Sequence, residues 1–201
     1  MTEPDIQQVV ILDRITDVSS KDWNALLPAD ANPFLRHEFL SALEETGCVG
    51  GNTGWQIAHL ALKNQGQLIG AVPLYLKQHS YGEFVFDWSW AQAYEQQGMQ
   101  YFPKALCAVP FTPVQGSRIL SNKAMDHGVI EKALIQGLKT LVIQNNLSSA
   151  HVLFPMDSES KALQDQGFML RDSVQFHWHN QGFEHFEHFL SALTMKRRKN
   201  I

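Results

Sequence analysis

The chain predicts a mixed α and β fold, a central sheet flanked by helices, and three observations carry that expectation. Short apolar or β-branched runs recur along it, "QVVILDRI", "WQIAHLALK", "QLIGAVPLYLK" and "SSAHVLFP", each of strand length. The stretch "MDHGVIEKALIQGLKTLVIQNN" puts Val129, Ile130, Ala133, Leu134, Leu138, Leu141 and Val142 on one helical face, as a helix lying on a sheet requires. Strands and helices interleave with few strand–helix–strand repeats, which points to a mixed sheet and away from a doubly wound parallel one.

"QVVILDRI" opens as a strand, and "SSKDWNALL" follows as a short helix with Ser19 or Ser20 as its cap. In "NPFLRHEFLSALEETG", Asn32 caps a longer helix, Pro33 suits its first position and Gly47 can take the left-handed stop. The next two apolar runs are separated by "NQGQ", which predicts a hairpin, with Pro73 at a bulge or an outward-facing position. "FVFDWSWAQAYEQQG", residues 84–98, begins as a strand and continues as an unusually aromatic connection. "YFPKALCAVPFTPVQGSRIL" carries Pro103, Pro110 and Pro113 and must follow a bent, extended path. After the long helix come a buried strand in "SSAHVLFP", a short helix in "SESKALQDQG", and one or two strands in "FMLRDSVQFHWHN", where Val174, Phe176 and Trp178 alternate with polar neighbours. Gly137 falls on the apolar stripe of the long helix, where a missing side chain permits close approach.

A length of 201 residues holds one generous domain with a real core. The formal charge of −4 gives no overall footprint for nucleic acid; the basic exception is "KRRKN" near the end. No run of about 18 apolar residues occurs, and the start lacks a secretory pattern, so a cytoplasmic address is expected. Cys48 and Cys107 have no disulfide or zinc spacing. His177 and His179 share a strand face and His185 and His188 lie on a helix, but without a cysteine among them they read as polar surface, and no metal is expected. Phe186, Phe189, Leu190 and Leu193 follow helical spacing into the basic run with no stop signal, so the natural chain is expected to continue, and the exposed helix offers a surface for homodimers.

The order of elements resembles the GNAT-type N-acyltransferases, and "ALQDQGF" is similar to the segment of that superfamily where a helix ends in Gly-Phe. Longer stretches, "NPFLRHEFLSALEETGCVG", "GAVPLYLKQHSYGEFVFDWSWAQAYEQQG", "YFPKALCAVPFTPVQGSRIL" and "QFHWHNQGFEHFEHFLSALTMKRRKNI", make the whole chain resemble the FemAB-like proteins, in which two GNAT-like domains stand in tandem. The resemblance implies a GNAT-like domain over residues 1–182 and a basic amphipathic helix over 183–201 leading to a second domain. It further implies transfer of an acyl or aminoacyl group from a carrier, aminoacyl-tRNA or acyl-CoA, to an amine acceptor such as a cell-wall precursor peptide, by direct attack without a covalent enzyme intermediate. Two departures count against a coenzyme in this half. Gln115, Gly116, Arg118 and Gly128 do not follow the superfamily's phosphate-loop spacing, and Leu163 stands where many members have a tyrosine general acid.

Acyl transfer to an amine needs a group to take the ammonium proton, a donor to the oxyanion and an apolar wall. Asp87 and Glu95 are the candidate carboxylates, His177 a secondary proton carrier, and Trp88, Trp90 and Tyr94 the wall. The competing reading is that the tryptophans pack a core and the acids cap a turn. Lys104, Thr112 and Arg118, on the proline-fixed segment, are candidates to hold a phosphate or carboxylate, against a reading as solvated charges. No cofactor is expected in this chain itself. Two rivals stay open: a CoA-dependent N-acyltransferase with its cofactor in the second half, and a module that recognises a peptide or glycopeptide without chemistry.

Overall fold

The computed structural model describes residues 7–85, 87–172 and 174–201. Contacts divide the chain into two units, Met1–Met169 and Leu170–Ile201.

The first unit runs β1 (Gln7–Leu12), α1 (Ser20–Ala25), α2 (His37–Glu45), β2 (Trp55–Ile57), β3 (His59–Asn64), β4 (Gln67–Val72), β5 (Leu74–Lys77), α3 (Trp88–Gln96), β6 (Lys104–Cys107), β7 (Leu120–Ser121), α4 (His127–Gln144), β8 (Ala150–Val152) and α5 (Asp157–Asp165). Its strands form two four-stranded sheets, ordered β1-β3-β4-β7 and β2-β5-β6-β8. The ladders are antiparallel except that between β6 and β8, which is parallel.

The hairpin read from "NQGQ" is β3–β4, turning at Gln65 and Gly66, both at positive φ. Each of its two apolar runs is divided between the sheets, at Ala58 and at Pro73. Proline has no N–H to give a ladder, so the second run must break there. The Ala58 N–H still donates to Leu74 O at 3.0 Å, which carries pairing across the break. The path between β6 and β7 is divided in the same way, by the proline-bearing residues 108–119. Three long strands thus become six short ones, and one bent surface supports both sheets.

Helix α4 covers that surface. Its Ile130, Leu134, Ile135, Leu138 and Leu141 are buried in one cluster with Leu60, Leu62, Ile69 and Val72. Close approach is secured by glycine on both partners: a Cβ at Gly70 would lie 2.6 Å from Ile130 Cγ2, and one at Gly137 2.9 Å from Val9 Cγ1. Helices α1 and α2 cover the opposite face, where Trp23, Leu35 and Leu40 pack with Ala71 and Leu120.

Four expectations are corrected. Residues 84 and 85 form no strand, and the aromatic segment is the helix α3, favoured by its Ala91, Gln92, Ala93, Glu95 and Gln96. The helix after Asn32 is divided: Pro33–Leu35 is a single 3-10 turn, and α2 begins only after Arg36, whose backbone is extended. β8 is half-buried, being the edge strand of its sheet. Residues 174–180 have strand alternation but no regular structure, and Phe176 and Trp178 are exposed. In the second unit, α6 (Phe186–Ser191) and α7 (Met195–Arg198) are short helices, and the four basic residues 196–199 lie on and after α7.

Candidate functional site

The site is built on two lysines that face each other across the β5–β6 ladder, Lys77 and Lys104. Both are completely buried, so each ammonium must find counter-charge or acceptors inside the protein. The segment between the strands supplies them. Lys104 Nζ donates to Asp87 Oδ2 at 2.6 Å, Glu83 Oε2 at 2.8 Å and Ser80 Oγ at 3.2 Å, which uses all three of its hydrogens. Tyr101 Oη donates to the same Asp87 oxygen at 2.7 Å. Lys77 Nζ sits 3.6 Å above the Trp55 ring and donates to Tyr81 O at 3.2 Å.

Burial works on every member. It raises the Glu83 carboxyl above its ordinary value, against the opposing charge of and hydrogen bond from Lys104. Burial pushes Asp87 the same way, but hydrogen bonds from Lys104, Ser80 and Tyr101 outweigh it and the carboxyl is held low. Burial pulls the Lys77 ammonium down to about 8, with Glu83 opposing and Lys104 adding to the fall. Glu83 Oε1 and Asp87 Oδ1 are buried without a hydrogen-bond partner in the structure.

Above this cluster the same segment carries exposed rings. Tyr81 and Trp88 meet at 5.2 Å between centroids, His79 meets Tyr81 at 5.2 Å, and Tyr81 and Trp88 are 67% and 46% exposed. The backbone beneath is strained: Phe84 and Phe111 hold positive φ, a region that bulky residues rarely adopt. Phe111 donates its N–H to Gly82 O and lies so close that a Cβ at Gly82 would be 2.7 Å from its ring. Lys104 therefore fixes a loop whose exposed face is aromatic and whose buried face is ionic.

The sequence candidates separate. Asp87 is 1% exposed and serves Lys104, whereas Glu95 is exposed at the other end of α3, about 12 Å along the helix axis for eight residues. They do not form one carboxylate pair. Trp88 and Trp90 are exposed, and Tyr94 is half-buried against Tyr101. Lys104 faces inward, not toward a solvent anion. Thr112 donates to Pro110 O within its own turn. Arg118 is buried and donates to the carbonyls of Leu153, Gly116, Ser117 and Val114, which makes it a clamp on the loops beside β8. His177 is exposed in the second unit, 3.2 Å from Gln175 Oε1. Sequence reasoning missed Lys77, Ser80, Glu83 and Tyr101. The available signal was a lysine at one extremity of each of two apolar strands, last in "LYLK" and first in "KALC", which calls for acids nearby.

At the start of the long helix, where coenzyme-binding members of the superfamily would hold a phosphate, the chain supplies its own anion. The Asp126 carboxylate accepts from the N–H groups of Gly128 and Val129, so the amides that would face a pyrophosphate already face an anion. These residues do not fit a coenzyme pyrophosphate at that point.

A family model described as FemAB-like, peptidoglycan biosynthesis/recognition, matches residues 14–201. The chain belongs to the FemAB-like family. Among solved structures, this FemAB-like chain is similar to an aminoglycoside N-acetyltransferase in complex with CoA. The identity is 13%, the match covers 89% of this chain and 98% of that one, and the TM-score is 0.53. It is also similar to an aminoglycoside acetyltransferase in complex with a bisubstrate analog, at 14% identity, 87% and 99% coverage and a TM-score of 0.51. At such identities the likeness establishes the fold, that of GNAT N-acetyltransferases, for this FemAB-like domain. No curated protein matches the sequence.

Proposed function

We propose that this chain is a GNAT-like domain of a cytoplasmic transferase that moves an acyl or aminoacyl group from a carrier to an amine acceptor, with a cell-wall precursor peptide as the acceptor. The observation that carries the proposal is the FemAB-like match over residues 14–201 on a GNAT fold. The Tyr81–Trp88 surface is the proposed acceptor site: electron-rich ring faces attract an ammonium, and Glu95 at the end of the same helix adds negative charge. Asp87 acts there through Lys104, by holding the loop. An aminoacyl-tRNA is favoured over acyl-CoA as carrier, because the Asp126 cap occupies the amides a pyrophosphate would use. The exposed Phe186 and Met195 support self-association through the second unit.

Carrier choice is tested with protein that joins this chain to a second GNAT-like domain, given acyl-CoA or aminoacyl-tRNA in separate reactions with and without an amine-bearing peptide. Acceptor-dependent discharge of the tRNA is the expected result. Release of free CoA instead would move the assignment to a coenzyme-dependent acetyltransferase.

One observation favours a second reading, recognition without chemistry: the ionic groups under the aromatic surface are buried and engaged with one another. On that reading this chain binds the peptide alone, and adding carriers changes nothing.

A further inference from the structure

A separate serine–histidine pair stands where β7 passes into α4. β7 is the last strand of its sheet, paired on one side with β4 through Ala71↔Leu120 and Gly70↔Ser121. Leu120 is buried with Trp23 and Leu40 under α1 and α2, so the alternation turns Ser121 to the opposite face, which α4 covers. Asn122 donates its N–H to Ile69 O at 2.8 Å, and the antiparallel alternation then directs the N–H of Ser121 away from β4, toward the edge of the sheet. Ile119 has the same parity, and its N–H donates in that outward direction to Glu159 Oε1 at 2.9 Å.

A tight turn brings the chain back. Asn122 Oδ1 accepts from Ala124 N, Met125 N donates to Asn122 O, and Asp126 caps α4. His127 thereby returns to Ser121, with Oγ and Nδ1 2.6 Å apart. Its other nitrogen, Nε2, lies 3.8 Å from Glu131 Oε1, one helical turn further on. When the hydroxyl donates to Nδ1 the ring proton is on Nε2, facing the carboxylate. Ser121 and His127 thus stand in the relation of nucleophile and base, with the Glu131 carboxylate near the far nitrogen but outside hydrogen-bond reach.

We propose that Ser121 is a nucleophile activated by His127, and that it accepts the acyl group of an activated ester or thioester, a reaction separate from the transferase reading of the Trp88 surface. Ser121 Oγ forms a bond to the acyl carbon while its proton passes to His127 Nδ1. The carbonyl oxygen gathers the charge beside the outward N–H of Ser121. The bond to the leaving alkoxide or thiolate breaks, and that group takes the proton from His127. Water then attacks the acyl-serine ester by the same route in reverse, giving a carboxylic acid and the free serine.

The test is covalent labelling of the 201-residue chain with a fluorophosphonate probe, in which the Oγ–P bond forms as fluoride leaves, followed by peptide mapping. The expected result is a single adduct on the Ser121 peptide, absent in Ser121→Ala and formed about 10²–10⁴-fold more slowly in His127→Gln. An adduct elsewhere, no adduct at Ser121, or equal rates in His127→Gln at an unchanged unfolding midpoint overturns the proposal. Mapping on the unaltered chain needs no variant, so a variant that fails to fold leaves the decision with the labelled site.

Discussion

Lys104 does more for the site than any exposed residue, because one ammonium gathers Ser80, Glu83 and Asp87 from a single loop onto the start of β6. Removing it leaves two buried carboxylates without their cation. Lys104→Met, which keeps most of the stem, is expected to destabilise the protein by about 3–5 kcal/mol in urea titration at neutral pH. A loss under about 1 kcal/mol would mean that the loop is held by its other contacts. Lys77 gives a pH signature of its own. Its ammonium is held near 8 in the fold against 10.5 ordinarily, so between those values the unfolded chain binds more protons. Stability must therefore rise as pH climbs through that window and fall as pH drops back through 8. The urea midpoint followed from pH 8 to 10.5 should show this rise in the unaltered protein and lack it in Lys77→Met.

At the scale of elements, α4 depends on the glycines that let it lie close to the sheet. Gly70→Ala places a methyl within 3.0 Å of Leu134 Cδ1, closer still to Ile130, and 3.2 Å from the Leu120 carbonyl, which cannot move without the strand. The expected cost is about 1–3 kcal/mol, read from the shift in urea midpoint. Most elements were legible in the sequence for local reasons: α4 by its periodicity, β3–β4 by its turn, α5 by the stop at Gly167. The errors share another cause. Trp88, Trp90 and Tyr94 have side chains suited to strands, yet the alanines and glutamines among them decide for helix. Val174, Phe176 and Trp178 have the right alternation, but a strand forms only with a partner strand, and alternation cannot supply one.

Over the whole molecule, the sequence was enough to place the chain in its fold and family, because both rest on the order of elements and on long stretches of similarity. The site was legible only in part. The segment was right, since Asp87, Trp88 and Lys104 all belong to it, but their partners were not visible. Pairing Lys104 with Glu83 depends on how a loop folds back over 21 residues, and no local pattern records that. The reading proposed for this arrangement gives recognition to Tyr81 and Trp88 and leaves Asp87 and Lys104 to hold the loop as a buried ionic latch beneath them. It is tested most directly by titrating the 201-residue chain with a synthetic amine-bearing cell-wall precursor peptide and following tryptophan fluorescence. A saturable change is expected, lost in Trp88→Ala at an unchanged unfolding midpoint. A saturable change of equal affinity in Trp88→Ala, or no saturable change in the unaltered chain, would contradict it.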